Sequence, residues 1–271
     1  MDTNSSSPAH VEAERAQGSG RQPVRERARP GPAMAALFAI DTLRAAWEFG
    51  GLFATWPWLA RAPRGDGHAV LVLPGLLSDD SSTLPLRAFL AERGYDAHGW
   101  DLGRNRGRWD VLETLLRRVE ALRAGTDGKV SLVGWSMGGL YAREIARRRP
   151  HDVRALVQIG TPFTGAAGRN PNWWLYELTS GCAVEATQLH GRTRPPPPVP
   201  VTSIYSRSDG QVYWRHCVEA DAEPARSVEN VEVVSSHRGL VHHPHVLWIV
   251  ADRLAQPDGG WRPYRAEPPT H

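Results

Sequence analysis

A chain of 271 residues, 41% apolar and 23% charged, is long enough for one well-buried α/β domain and short for two. Its formal net charge is only +3, from 32 Lys and Arg against 29 Asp and Glu, and part of that excess lies in Arg21, Arg25, Arg27 and Arg29. With no basic stripe on an expected element, nucleic-acid binding is not implied. Two cysteines, Cys182 and Cys217, are too few for a disulfide framework and have no metal-ligand spacing; two free thiols are expected, with a bridge between them as the alternative.

Residues 1–32 are rich in Ser, Pro, Gly, Arg and Glu and nearly lack large apolar side chains. Such a stretch cannot bury enough surface to offset its ordering entropy, so a disordered tail is expected. Residues 33–60 turn apolar but carry Asp41, Arg44 and Glu48. The uncharged piece from Gly50 to Ala60 is too short to span a bilayer. One or two amphipathic helices packed on the domain are expected. The alternative is a membrane-surface helix through Leu52, Phe53, Trp56, Trp58 and Leu59. No secretory leader is recognisable near the start, so a cytoplasmic protein is expected, with peripheral membrane contact as that alternative.

From His68 onward, strand and helix patterns alternate. Strands are expected at His68–Leu73, Tyr95–Trp100, Lys129–Trp135, Val153–Ile159, Val201–Tyr205 and Val231–Val234. Helices are expected at Ser81–Arg93, Trp109–Arg123, Met137–Arg149 and Pro244–Leu254. This alternation predicts an α/β domain, a doubly wound and mostly parallel sheet spanning residues 61–271. The stretch at about 163–200 falls outside the pattern and reads as a short cap insertion, with a stiff Pro195–Pro198 run near its end.

The apolar run Val130–Val133 leads directly into Gly134-Trp135-Ser136-Met137-Gly138-Gly139, and a helix pattern follows. Strand, G-x-S-x-G turn and helix together define a nucleophile elbow, whose sharp turn admits only small residues beside the serine. A serine hydroxyl needs a base to take its proton and an acid to orient that base, in the chain order Ser, acid, His. The loop after the fifth strand offers Asp209, and the loop after the sixth offers His237. Asp221 is the rival acid but follows no strand. His242, His243 and His245 lie past the last loop; with His237 they could suggest a metal, but no Cys or carboxylate partner is near, and no metal or other cofactor is expected.

Acyl transfer generates an oxyanion that needs preorganised amide donors. The N–H of Met137, after the nucleophile, is one candidate. The N–H of Leu76, in the Pro74-Gly75-Leu76-Leu77 loop after the first strand, is the other. Leu77, Phe163, Trp173 and Trp174 are candidates for an apolar acyl pocket, with plain packing as the alternative role.

From about His68 to Leu254 the chain resembles the bacterial lipase and esterase branch of the α/β-hydrolase superfamily. The resemblance is carried by PGLL at 74–77, GWSMGG at 134–139, GTPF at 160–163, YSRSDG at 205–210 and SHRGL at 236–240. It implies a Ser136–His237–Asp209 triad, an acyl-enzyme and a small-molecule carboxylic ester or lipid as substrate. Two departures stand out. Pro74 occupies a place where many lipases have His, and helical residues 33–60 replace the usual amino-terminal antiparallel strands. An acyltransferase with the same triad and a non-catalytic binding protein of the same fold are the competing readings.

Overall fold

The computed structural model describes residues 32–126, 128–164, 173–181, 195–220 and 227–265. The expected disordered tail, Cys182 and Asp221 lie outside these residues. Helix α1 (Pro32–Leu59) precedes strand β1 (Ala69–Leu73). Then follow α2 (Leu84–Glu92), β2 (Asp96–His98), a 3-10 turn (Trp109–Val111), α3 (Leu112–Ala124), β3 (Val130–Trp135) and α4 (Met137–Arg148). The chain continues through β4 (Val153–Ile159), α5 (Trp173–Ser180), β5 (Val201–Tyr205), a 3-10 turn (Trp214–Cys217), β6 (Val228–Glu232) and α6 (Pro244–Leu254).

The six strands form one parallel sheet in the order β2-β1-β3-β4-β5-β6. β1 and β3 are buried on both faces, which explains their continuous apolar runs. Alternate residues serve the two layers. Val70, Val72, Val133 and Trp135 join the core under α1, α2 and α6, whereas Ala69, Leu71, Val130 and Leu132 join the core under α3 and α4. The strand order reverses between β1 and β3. Loops leaving their carboxyl ends therefore face one crevice, where ligands bind in open parallel sheets.

Two strands differ from expectation. β2 ends at His98 because the Trp100 and Asp101 amides turn away to the Asp80 carboxylate, at 2.9 and 3.0 Å. β6 begins at Val228 and ends at Glu232, earlier than the apolar run Val231–Val234. It is an edge strand whose polar side chains have partners: Glu229 accepts from Thr202 and Arg253, and Asn230 donates to the Glu219 carbonyl. α1 is one helix that runs through Gly50, Gly51 and Pro57. The stripe weighed as the membrane-facing alternative is largely a packing face. Leu52 and Leu59 are buried, Trp58 stacks on Trp248 of α6 at 4.4 Å, and Trp56 meets Phe89 of α2 edge-on. Phe53 alone of that set is strongly exposed. Among the described residues, no helix is long and apolar enough to cross a membrane.

Candidate active site

The turn between β3 and α4 puts Ser136 at φ 52° and ψ −119°, a backbone conformation that side-chain-bearing residues rarely adopt. Two residues before it and two and three after it, only glycine fits. A Cβ on Gly134 would lie 2.4 Å from Gly139 Cα, one on Gly138 would lie 2.2 Å from the Leu73 carbonyl oxygen, and one on Gly139 would lie 1.9 Å from Thr161 Oγ1. The strained residue is pinned by its N–H, which donates to the Ile159 carbonyl at 2.8 Å.

The loops after β5 and β6 bring Asp209 and His237 to this serine. Asp209 Oδ1 accepts the Gln211 and Val212 amides at 2.8 and 2.7 Å, which fixes the carboxylate. Its Oδ2 lies 2.6 Å from His237 Nδ1, and His237 Nε2 lies 3.0 Å from Ser136 Oγ. The imidazole is buried. Trp135 Nε1 donates to the His237 carbonyl at 3.1 Å, and Gly160, at φ +56°, leaves room for the ring, since a Cβ there would come within 3.3 Å of it. Burial alone would lower the His237 pKa, but the Asp209 charge and hydrogen bond, helped by Asp41 and opposed by Arg238, hold it above the usual 6.5.

His242, His243 and His245 stand elsewhere. His242 Nε2 meets the Ala45 carbonyl, His245 Nε2 meets the Tyr264 hydroxyl, and His243 precedes α6 as its N-cap residue. Burial lowers the pKa of each, and among the described residues no cluster could hold a metal ion. Cys217 is a buried free thiol whose pKa is pushed up by burial and by Asp209.

The loop after β1 lies against the elbow. A Cβ on Gly75 would lie 3.3 Å from Ser136 Cβ. Within it, Leu77 N–H donates to the Asn105 carbonyl at 2.6 Å and Ser78 N–H to the Gly75 carbonyl at 3.1 Å. The Leu76 amide stays outside these bonds. The Met137 amide, in the first turn of α4, has no intrahelical acceptor. Asn105 was not anticipated from sequence. Fully buried, it also donates through Nδ2 to the Pro74 carbonyl at 2.8 Å, and its own N–H reaches the Ser78 carbonyl at 2.8 Å. It thus braces the loop from both sides. It sits in an Arg- and Gly-rich stretch without periodicity, so only its pairing with distant carbonyls reveals it.

The expected pocket residues divide. Leu77 is 37% exposed with φ 61°. Phe163 is 1% exposed, and the Arg143 guanidinium lies 4.3 Å above its ring. It is therefore a core residue under α4 instead of an open pocket wall, because a flat ring satisfies the face of a buried cation. Trp173 and Trp174 begin α5, and their side chains lie outside the described residues.

No family model matches the chain. Among solved structures, Aspergillus fumigatus lipase B superimposes with a TM-score of 0.58 at 18% identity, covering 72% of this chain and 54% of the lipase. A Bacillus licheniformis lipase in its mature form gives 0.52 at 16% identity, covering 72% and 94%. The fold is that of the α/β-hydrolases. A curated Shewanella woodyi protein, a pimeloyl-[acyl-carrier protein] methyl ester esterase, is 33% identical over 110 residues. That match spans 40% of this chain and 42% of the esterase's length.

Proposed function

We propose that the protein is a serine hydrolase that cleaves carboxylic esters through an acyl-enzyme. The supporting observation is the unbroken line from Ser136 Oγ through His237 to Asp209, at 3.0 and 2.6 Å, on a strained glycine-flanked turn. Ser136 Oγ attacks the ester carbonyl carbon while its proton passes to His237 Nε2. The carbonyl π electrons move onto oxygen, and the amides of Leu76 and Met137 receive that charge. Collapse breaks the bond to the alcohol oxygen, which leaves with the proton from Nε2. Water then gives a proton to Nε2, attacks the acyl carbon and releases the acid, and the proton returns to Ser136. Asp209 stays ionised, holds Nδ1–H and stabilises the imidazolium.

The described part of the expected cap, α5, is read as lying over this site; residues 165–172 and 182–194 lie outside the described residues. In support, Tyr176 of α5 and Leu76 of the oxyanion loop both close on Gly107, where a Cβ would lie 2.8 and 3.0 Å from them. The Shewanella esterase is named for a methyl ester, so esters of small alcohols are the first substrates to try. A second reading, action at a lipid surface, is favoured by the exposed Ile40, Leu43 and Trp47 on α1. Co-sedimentation with anionic vesicles, abolished by Trp47→Ala with Leu43→Ala, would support it, and retained sedimentation would remove it. The reading as an esterase is tested by a panel of p-nitrophenyl esters of increasing acyl length. Turnover that requires Ser136 supports it. A folded, pure protein that hydrolyses none of them, or a Ser136→Ala variant as active as wild type, contradicts it.

A further inference from the structure

The middle of α1 sends three charged side chains, Asp41, Arg44 and Glu48, into the two loops that carry Asp209 and His237. Asp41 is 1% exposed. Its Oδ1 accepts the His237 amide at 2.9 Å and the Gly210 amide at 3.1 Å, and its Oδ2 accepts Gln211 Nε2 at 2.8 Å. One carboxylate thereby ties His237 to the two residues after Asp209. Two turns along, Glu48 Oε1 accepts the Ser236 amide at 2.9 Å, and Oε2 accepts the Ser236 and Ser235 hydroxyls at 2.6 and 3.0 Å. Arg44, between them, donates to the carbonyl and hydroxyl of Ser208 at 2.7 and 3.0 Å.

Gly239 is an independent sign that the loop is built around this helix. A Cβ there would lie 1.5 Å from Glu48 Oε2, so the residue two places after His237 leaves space for that carboxylate. Anchoring α1 does not require such groups. Its carboxyl half already buries Leu52 and Leu59 and stacks Trp58 on Trp248. A buried carboxylate such as Asp41 is costly unless fully hydrogen-bonded, and it and the half-buried Glu48 take their donors from residues beside and within the acid–base pair.

We propose that α1 is a positioning element for the reaction, with Asp41 as the positioning residue that holds His237 and the Asp209 loop in register and Glu48 as its support. Neither touches Ser136 or the reacting atoms. A misplacement of about 1 Å at a catalytic group can cost about 100-fold in rate, so a brace on the His237 backbone has that much to protect. There is an electrostatic part as well. The groups facing His237 are Asp209 from the loop after β5, Asp41 from α1 and Arg238 from its own loop. Arg44 and Glu48 bond the adjoining Ser208, Ser235 and Ser236. The Asp41 charge favours the imidazolium that forms as Ser136 gives up its proton.

The proposal rests on the esterase reading, and the experiment separates the two. Wild type, Asp41→Asn, Asp41→Ala and Glu48→Gln are compared for kcat, KM, the acid limb of the rate profile, thermal midpoint and the His237 imidazole titration by NMR. Asp41→Asn keeps an oxygen for the two amides and removes the charge. In folded Asp41→Asn, kcat is expected to fall about 10- to 100-fold. KM should stay within about twofold, and the acid limb and the imidazole titration should both move to lower pH. Glu48→Gln should show a smaller loss in kcat in the same direction. If Asp41→Ala fails to fold, the other two variants carry the comparison. Folded Asp41→Asn with wild-type kcat and an unmoved His237 titration overturns the positioning role. An inactive wild type contradicts the esterase reading alone, and the NMR titration still decides the role of Asp41.

Discussion

At the amino end of the sheet, Ser131 Oγ lies 2.8 Å from His68 Nε2, and His68 Nδ1 lies 2.5 Å from Asp66. At the carboxyl end, Ser136, His237 and Asp209 repeat the same chain of residue types at 3.0 and 2.6 Å. The two serines are five positions apart, roughly 16 Å at strand rise. Everything around the shared connectivity differs. Ser131 is fully buried within the β3 ladder opposite Val70, whereas Ser136 is only partly buried and has a positive φ. Asp66 is divided between His68 and Arg154, whose guanidinium lies 2.7 Å from its carboxylate and 3.1 Å from His68 Nδ1. Burial, with Arg154 adding to it, takes the His68 pKa below its usual value despite Asp66, while Asp209 carries that of His237 above. The two lines differ in that Ser136 is lifted out of the ladder and its acid, Asp209, is not shared with a cation as Asp66 is.

The sharpest way to break this comparison is to delete each serine in turn. Ser136→Ala is expected to lower ester turnover by about 10⁴-fold or more without moving the thermal midpoint. Ser131→Ala should keep its turnover and lose about 1–3 kcal/mol of stability in urea titration, because buried His68 Nε2 is left without its partner. Equal losses of activity would dissolve the distinction. Next in size, Asp209→Asn should cost about 10³–10⁴-fold in kcat through the wrong imidazole tautomer, while Asp66→Asn leaves kcat alone. Asn105→Ala comes third. It loosens the loop that carries Leu76, so kcat should fall about 10- to 100-fold, more than KM changes. The smallest effect is in pH. His237 must be neutral to accept the Ser136 proton, so the acid limb of kcat/KM should have its midpoint above 6.5. The raised pKa also means that the stability His237 contributes is complete below 6.5 and is lost as pH rises through its folded value. His68, lowered, contributes in the opposite sense: above 6.5, lost as pH falls through its folded value.

Much of the carboxyl-end geometry was legible in the sequence, because each part follows a strand and β1, β3, β4 and β5 are buried runs with clear ends. Ser136, Asp209 and His237 could each be placed from its own strand, with no knowledge of the others. What escaped was whatever acts across the chain. Asp41 meets His237 across 196 residues and Glu48 meets Ser236 across 188, and on paper both look like the solvated face of an amphipathic helix. Asn105 is hidden for the same reason. The sequence left open whether the apolar stripe of α1 meets the domain or a membrane surface, because periodicity shows an apolar face but not what covers it; here α6 and α2 cover Trp58 and Trp56. The last strand was misplaced because its Glu229 and Asn230 are polar, and partners outside the strand make that tolerable at a sheet edge.

The most direct test is to map the adduct of a fluorophosphonate probe by mass spectrometry in wild type, Ser136→Ala and Ser131→Ala. Labelling at Ser136 in wild type and in Ser131→Ala, with none in Ser136→Ala, is the expected result. An adduct at another residue, or no adduct on the well-folded wild-type protein, would contradict the assignment of Ser136 as an activated nucleophile.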